Sequence, residues 1–169
     1  MLFHASIPAV EPQRVARTLA QLWRGHAFEF PPFPGAYIVL ADDDRGTEIE
    51  VVPHTQENVI GEFDVAARDN STASAYSAVH LAIATPLTTD EVLRLAADVG
   101  WTARICNRGD CFHVIEFWLE DRFLVEVLTD VMQREYQSFM TPQGWISTFG
   151  SATALSTDFS PAMAGARAA

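Results

Sequence analysis

The sequence predicts an α+β fold made of two similar modules, each ordered strand, helix, strand, strand, strand. Three observations carry this reading. A short apolar strand with a histidine opens each half: "LFHASIPAV", with His4, and "SAVHLAIATP", with His80. A helical pattern follows each of them. A shift of 76 residues then superposes His4 on His80 and lays "IEVV", with Glu50, over "VEVL", with Glu126. Repeats of this kind point to duplicated architecture even where sequence identity is low.

The first module is placed at residues 1–53. Its helix is "EPQRVARTLAQLWRG". Pro12 suits a first helical turn, Val15, Leu19 and Leu22 recur at helical spacing, and Gly25 is available to the C-terminal cap. The extended pieces "AFEF", "AYIVLAD" and "TEIEVVP" follow. "FPPFPG" joins the first two and is too proline-rich for a central strand, while "DDDRG" makes a hairpin loop between the last two. Residues 54–76 are mostly polar and read as a connection with no long element.

The second module is placed at residues 77–129. "TTDEVLRLAADVG" is a helix with Thr or Asp as its cap, Val92, Leu95, Ala96 and Val99 on one face, and Gly100 past its end. The strands "WTARICN", "FHVIEFWLE" and "RFLVEVLTD" follow, with "NRGD" as a turn. "DVMQREYQSFM" gives a C-terminal helix, and residues 130–150 are read as this helix with an extension. Residues 151–169, rich in Ala, Ser and Thr without apolar periodicity, are expected to be a poorly ordered tail.

Composition narrows the function classes. The 169 residues hold 11 basic and 22 acidic side chains, a net charge of −11. Such a surface repels phosphate backbones and anionic lipid, which argues against nucleic acid and membrane partners. No stretch reaches the ~20 apolar residues of a bilayer span, and no basic and apolar leader pattern opens the chain, so the expected location is the cytoplasm. Cys106 and Cys111 flank the "NRGD" turn and are read as reduced thiols. Dinucleotide, P-loop, serine-hydrolase and CxxC signatures are missing from the sequence.

Side chains alternate across a strand, so Glu50 lies opposite Ile49 and Val51, and Glu126 opposite Val125 and Val127. Each module thus offers a histidine from its first strand and a glutamate from its last. If the modules pack about a pseudo-twofold, His4, Glu50, His80 and Glu126 converge as two imidazoles and two carboxylates, a set that suits one divalent transition metal. Glu48 shares the face of Glu50 and is read as a group beside the site or on the surface. His113 and Glu116 fall on opposite faces of one strand. Tyr37, Trp101 and Trp118 are the expected pocket wall.

These residues resemble the vicinal oxygen chelate superfamily, which includes glyoxalase I, methylmalonyl-CoA epimerase, extradiol dioxygenases and the fosfomycin and bleomycin resistance proteins. The resemblance spans about Met1 to Thr129 and rests on the paired modules, "FH" at His4, "VH" at His80, "IEVV" at Glu50 and "VEVL" at Glu126. It implies a cupped, half-open mixed sheet with helices on the outside, and His4, Glu50, His80 and Glu126 as the metal ligands. The carboxylate at Glu50 is closer to the glyoxalase I arrangement than to the dioxygenases, where that position carries no ligand. The metal implied is one of Ni, Zn, Mn, Fe or Co. The implied function is a glyoxalase-like isomerase, epimerase or lyase that chelates a small oxygenated substrate through two oxygens, with Glu50 or Glu126 moving the proton. The alternative is a metal-free small-molecule binding protein of the bleomycin-resistance type. Many relatives are dimers, and the apolar edge "SAVHLAIA" suits a partner, so a homodimer is the expected assembly.

Overall fold

Helix caps and strand alternation build the two modules in the expected order. The structure is a computed structural model that describes residues 3–150 except 61, 63, 64, 71, 73 and 75. The expected tail at 151–169 lies outside the described residues. The first module consists of β1 (His4–Ala9), α1 (Pro12–Trp23), β2 (His26–Glu29), β3 (Tyr37–Leu40) and β4 (Glu48–Pro53). The second consists of β7 (Leu81–Ala84), α2 (Thr89–Val99), β8 (Ala103–Arg108), β9 (Phe112–Leu119) and β10 (Phe123–Leu128). Between them stand β5 (Gln56–Ile60) and β6 (Val65–Asp69), and α3 (Asp130–Phe139) and α4 (Pro142–Phe149) follow.

The modules have the same topology. One sheet runs β1-β4-β3-β2 and the other β7-β10-β9-β8. In each, the first strand pairs in parallel with the last, and residue i faces residue i+44: Ala5 faces Ile49, and Leu81 faces Val125. The 76-residue shift therefore carries one ladder onto the other at the level of individual pairs. The sheets are separate hydrogen-bonded units, with β1 and β7 each at the edge of its own sheet.

α1 starts with Pro12 at its first turn and buries Val15, Ala16, Leu19 and Leu22 against β3 and β4. Its left-handed cap residue is Arg24, at φ 51°, rather than Gly25. Gly25 is needed for a different reason: a Cβ there would stand 2.2 Å from the Leu40 carbonyl oxygen. α2 opens on a reciprocal capping box between Thr88 and Glu91 and closes on Gly100 at φ 72°. Ile7, Val39, Ile49 and Val51 from the first sheet, and Ile115, Phe117, Val125 and Val127 from the second, join one continuous buried core with both helices.

Contacts between the modules hold α1 in place. Its N-cap residue, Glu11, makes no side-chain cap. The carboxylate of Glu120, in the turn before β10, accepts instead from the backbone N–H groups of Val10 at 2.7 Å and Glu11 at 2.6 Å. Arg14 lies 4.9 Å over the Trp101 ring and donates to the Val99 carbonyl. At the other end, the Thr85 hydroxyl donates to the Leu22 carbonyl, and Arg24 reaches Glu91 at 3.3 Å.

Two elements differ from the sequence reading. The connection carries the antiparallel hairpin β5–β6, fastened where Glu57 faces Arg68, whose Nε donates to Glu57 at 2.8 Å. Its polar faces gave no apolar alternation to read. The C-terminal extension forms α4, capped by Thr141 through the Gly144 N–H at 3.0 Å, with Trp145 and Phe149 packed at 4.6 Å.

Candidate metal centre

The β1–β4 ladder assembles the first cluster. His4 faces Glu48 directly and Ser6 faces Glu50. All four side chains alternate with the buried Ile7, Ile49 and Val51, and so share the sheet face turned away from the core. His4 Nδ1 lies 3.7 Å from Glu48 Oε1, and the Ser6 hydroxyl donates to Glu50 Oε2. One donor atom from each of His4, Glu48 and Glu50 lies within 4.8 Å of the others, which makes a three-residue group able to hold a metal ion. It is the one such group among the described residues.

A cavity of about 770 Å³ opens beside this group. His4 and Glu48 bound it from the first module, and Leu81, Ala82 and Ile83 from β7 supply an apolar wall. Trp23 and Gln133 also line it. Its size falls within the range of small-molecule sites.

The second module arranges its glutamate differently. Glu126 faces Glu116 across the β9–β10 ladder, and Arg104 faces Glu116 across β8–β9. Arg108 Nη2 lies 2.5 Å from Glu126 Oε1 and 3.0 Å from Glu116 Oε1. Arg104 Nη2 lies 2.7 Å from Glu116 Oε2. Burial opposes ionisation of Glu116, but bonds from Arg104, Arg108 and Trp118 outweigh it and hold the carboxyl down at about 2. The bond to Glu126 is the main cause that raises Arg108 above the usual arginine value.

Of the four expected ligands, the structure brings His4 and Glu50 together, with Glu48 as the third member. His80 is exposed ahead of β7, with Nδ1 3.3 Å from the Ala78 carbonyl, and Glu126 is bonded to Arg108. Neither belongs to the three-residue group. The three expected wall residues, Tyr37, Trp101 and Trp118, do not line the cavity beside this group. Tyr37 faces Val51 and therefore stands on the core side of its sheet. Trp101 is buried with its ring edge-on to Phe117 at 6.3 Å. Trp118 stands on the face of Glu116, with its Nε1 3.4 Å from Glu116 Oε2. Arg104 and Arg108 were not anticipated, although "RICNR" places both on one strand face. His113 is tied to Glu135 of α3 at 3.0 Å.

No family model matches the sequence, and no curated protein matches it. Solved structures do. The fosfomycin resistance protein FosX from Mesorhizobium loti is similar at 13% identity over 81% of this chain and 97% of that one, with a TM-score of 0.50. A mutant FosX from Listeria monocytogenes, complexed with Mn(II) and 1S,2S-dihydroxypropylphosphonic acid, is similar at 12% identity over 82% and 97%, with a TM-score of 0.53. Lactoylglutathione lyase from Agrobacterium tumefaciens is similar at 7% identity over 77% and 93%, with a TM-score of 0.50. The chain shares the fold of these structures, with its two βαβββ modules paired as described above.

Proposed function

We propose that this protein is a divalent-metal-dependent enzyme that binds a small molecule through two neighbouring oxygens and moves a proton on it, as an isomerase, epimerase or lyase. The observation that carries the reading is the group His4, Glu48 and Glu50, with donor atoms within 4.8 Å on one strand pair. The donor set fits the ion: an imidazole nitrogen with two carboxylates suits Mn, Fe, Co, Ni or Zn. Two carboxylates this close also repel unless a cation stands with them. Further support comes from the fold, shared with a protein whose complex contains Mn(II) and a dihydroxy compound.

His4, Glu48 and Glu50 would hold the ion. When bound, it polarises a carbonyl oxygen and favours negative charge on the substrate's adjacent oxygens. The chain's own residues supply the rest. Ser6 donates to Glu50 Oε2 and so fixes that carboxylate. Glu50 would then take a proton from the substrate carbon and return it. The β7 wall gives the carbon skeleton an apolar surface. Asp42, Asp43 and Asp130 outnumber Arg45 along the cavity, which favours a neutral or cationic substrate over an anion.

Elemental analysis of protein purified without an affinity metal tests this reading. Parent protein is expected to hold stoichiometric metal after loading, and His4→Ala and Glu50→Ala to lose it together with any turnover. Full metal content in either variant would falsify the assignment. The apolar wall favours the second reading, ligand capture without turnover. That reading gains if the group stays empty after soaking with nickel, zinc, manganese or iron while the cavity still binds an organic ligand.

A further inference from the structure

The 76-residue repeat ends where β4 and β10 end. After β10 the chain turns into α3, whereas after β4 it turns into the hairpin β5–β6. The hairpin thus marks the module that carries His4, Glu48 and Glu50. Its outer side is tied together by Glu57, which accepts from Arg68 on the facing strand and from Asn70 Nδ2 at 2.9 Å. Alternation turns Gln56 and Asn58 to the other side of β5. There they line a chamber of about 180 Å³ with Ser6, Pro8, Val52 and Phe33.

The β1–β4 register places this chamber beside the metal group. His4–Glu48, Ser6–Glu50 and Pro8–Val52 are successive pairs on one sheet face. His4 and Glu48 border the large cavity, and Pro8 and Val52 border the small chamber. Ser6 joins the two, since it lines the chamber and donates to Glu50. The Ser6 and Pro8 levels are two strand residues, or about 7 Å, apart. A substrate chelated at the metal group therefore has the large cavity on one side and the chamber on the other. Sites for a whole small molecule start at ~300 Å³, so the chamber suits one arm of a substrate.

The lining sets the chemistry of that arm. None of the six residues is charged, so an ammonium or carboxylate would lose water there without gaining an ionic partner. The Gln56 and Asn58 carboxamides each offer donors and an acceptor. Neither makes a side-chain hydrogen bond among the described residues. Phe33, Pro8 and Val52 give apolar contact to carbon. We propose that this chamber is the specificity pocket of the site: Gln56 and Asn58 select substrates that carry an uncharged hydrogen-bonding arm, a carboxamide or a hydroxyl, next to the chelating oxygens. This rests on the metal reading given above and names the substrate class for it.

Hydroxamates test it, because two adjacent oxygens chelate a metal while the arm is varied. Affinities are measured by calorimetry on the Mn(II)-loaded full chain. Succinamide monohydroxamate, with a carboxamide arm, is expected to bind about tenfold tighter than pentanohydroxamate, whose alkyl arm has the same length, and than succinic monohydroxamate, whose arm is a carboxylate. In Gln56→Leu/Asn58→Leu the carboxamide and alkyl arms are expected to bind equally, with acetohydroxamate affinity unchanged. Equal affinities in the parent, or a preference that survives in this variant, overturn the proposal. If the leucine variant does not fold, Gln56→Glu/Asn58→Asp decides. It is expected to bind β-alanine hydroxamate, with an ammonium arm, about tenfold tighter than the parent does, and no gain overturns the proposal. Acetohydroxamate has no arm and reports on the metal reading alone. If it fails to bind the parent, that reading fails and takes this one with it. If it binds while the arms are not told apart, only the specificity pocket is lost.

Discussion

Glu116 concentrates the electrostatics of the second module. Its carboxyl sits at about 2 in the folded chain against an ordinary 4.5. A depressed value means that ionised Glu116 stabilises the fold fully above pH 4.5, and that this contribution fades as pH falls towards 2. Glu116→Gln is therefore expected to flatten the acid limb of a Tm against pH profile in that window. An unchanged limb would show that the bonds from Arg104 and Arg108 do not stabilise the fold. At this scale the sequence was legible where residues repeat or alternate locally. His4 and Glu50 stood out through their counterparts 76 residues away, and Glu48 was placed on the face of Glu50 by alternation. The tie from Arg108 to Glu126 was not legible, because it joins side chains on two strands that are not neighbours in the sheet order. Only the register of β8, β9 and β10 brings them together.

Among the elements, helices with their own punctuation were read well. Thr88 and Gly100 mark α2 at both ends, and Pro12 marks the start of α1. The hairpin β5–β6 was missed because it is tied by polar side chains such as Glu57 and Arg68, which carry no hydrophobic period. The start of α1 also depends on a distant group. Glu120 accepts the Val10 and Glu11 N–H groups from a turn 110 and 109 residues away. A carboxylate at a helix N-terminus pairs orphan donors and complements the helix dipole. Glu120→Gln keeps the shape and removes the charge, and is expected to cost about 1 kcal/mol. A urea melt of the full chain measures it, and an unmoved midpoint would exclude the cap as a stabilising contact.

On the scale of the whole molecule, the two modules share one core, and the cavity takes walls from both. Binding there is coupled to global stability, since only the folded chain offers the site. Mn(II) at ~100 times its Kd is expected to add about 2.7 kcal/mol. For a chain of this size that is a rise in Tm of roughly 5–10 °C, and it is expected to vanish in His4→Ala. A parent protein whose Tm ignores Mn(II) would remove the link between metal and fold. The fold itself was legible because duplication leaves a periodic trace that single elements do not. The position of the cavity was not, because it depends on how two edge strands from different sheets approach each other.

The Glu120 cap also has a consequence for the order of assembly. During synthesis, the first module leaves the ribosome with the Val10 and Glu11 N–H groups unanswered, and they stay so until the turn after β9 has been made. The cap of the first helix is complete only once Glu120 has been made, well after α1 ends at Trp23. The cap is thus a contact that a nascent first module cannot make by itself, and contacts of such long sequence separation are slow to form.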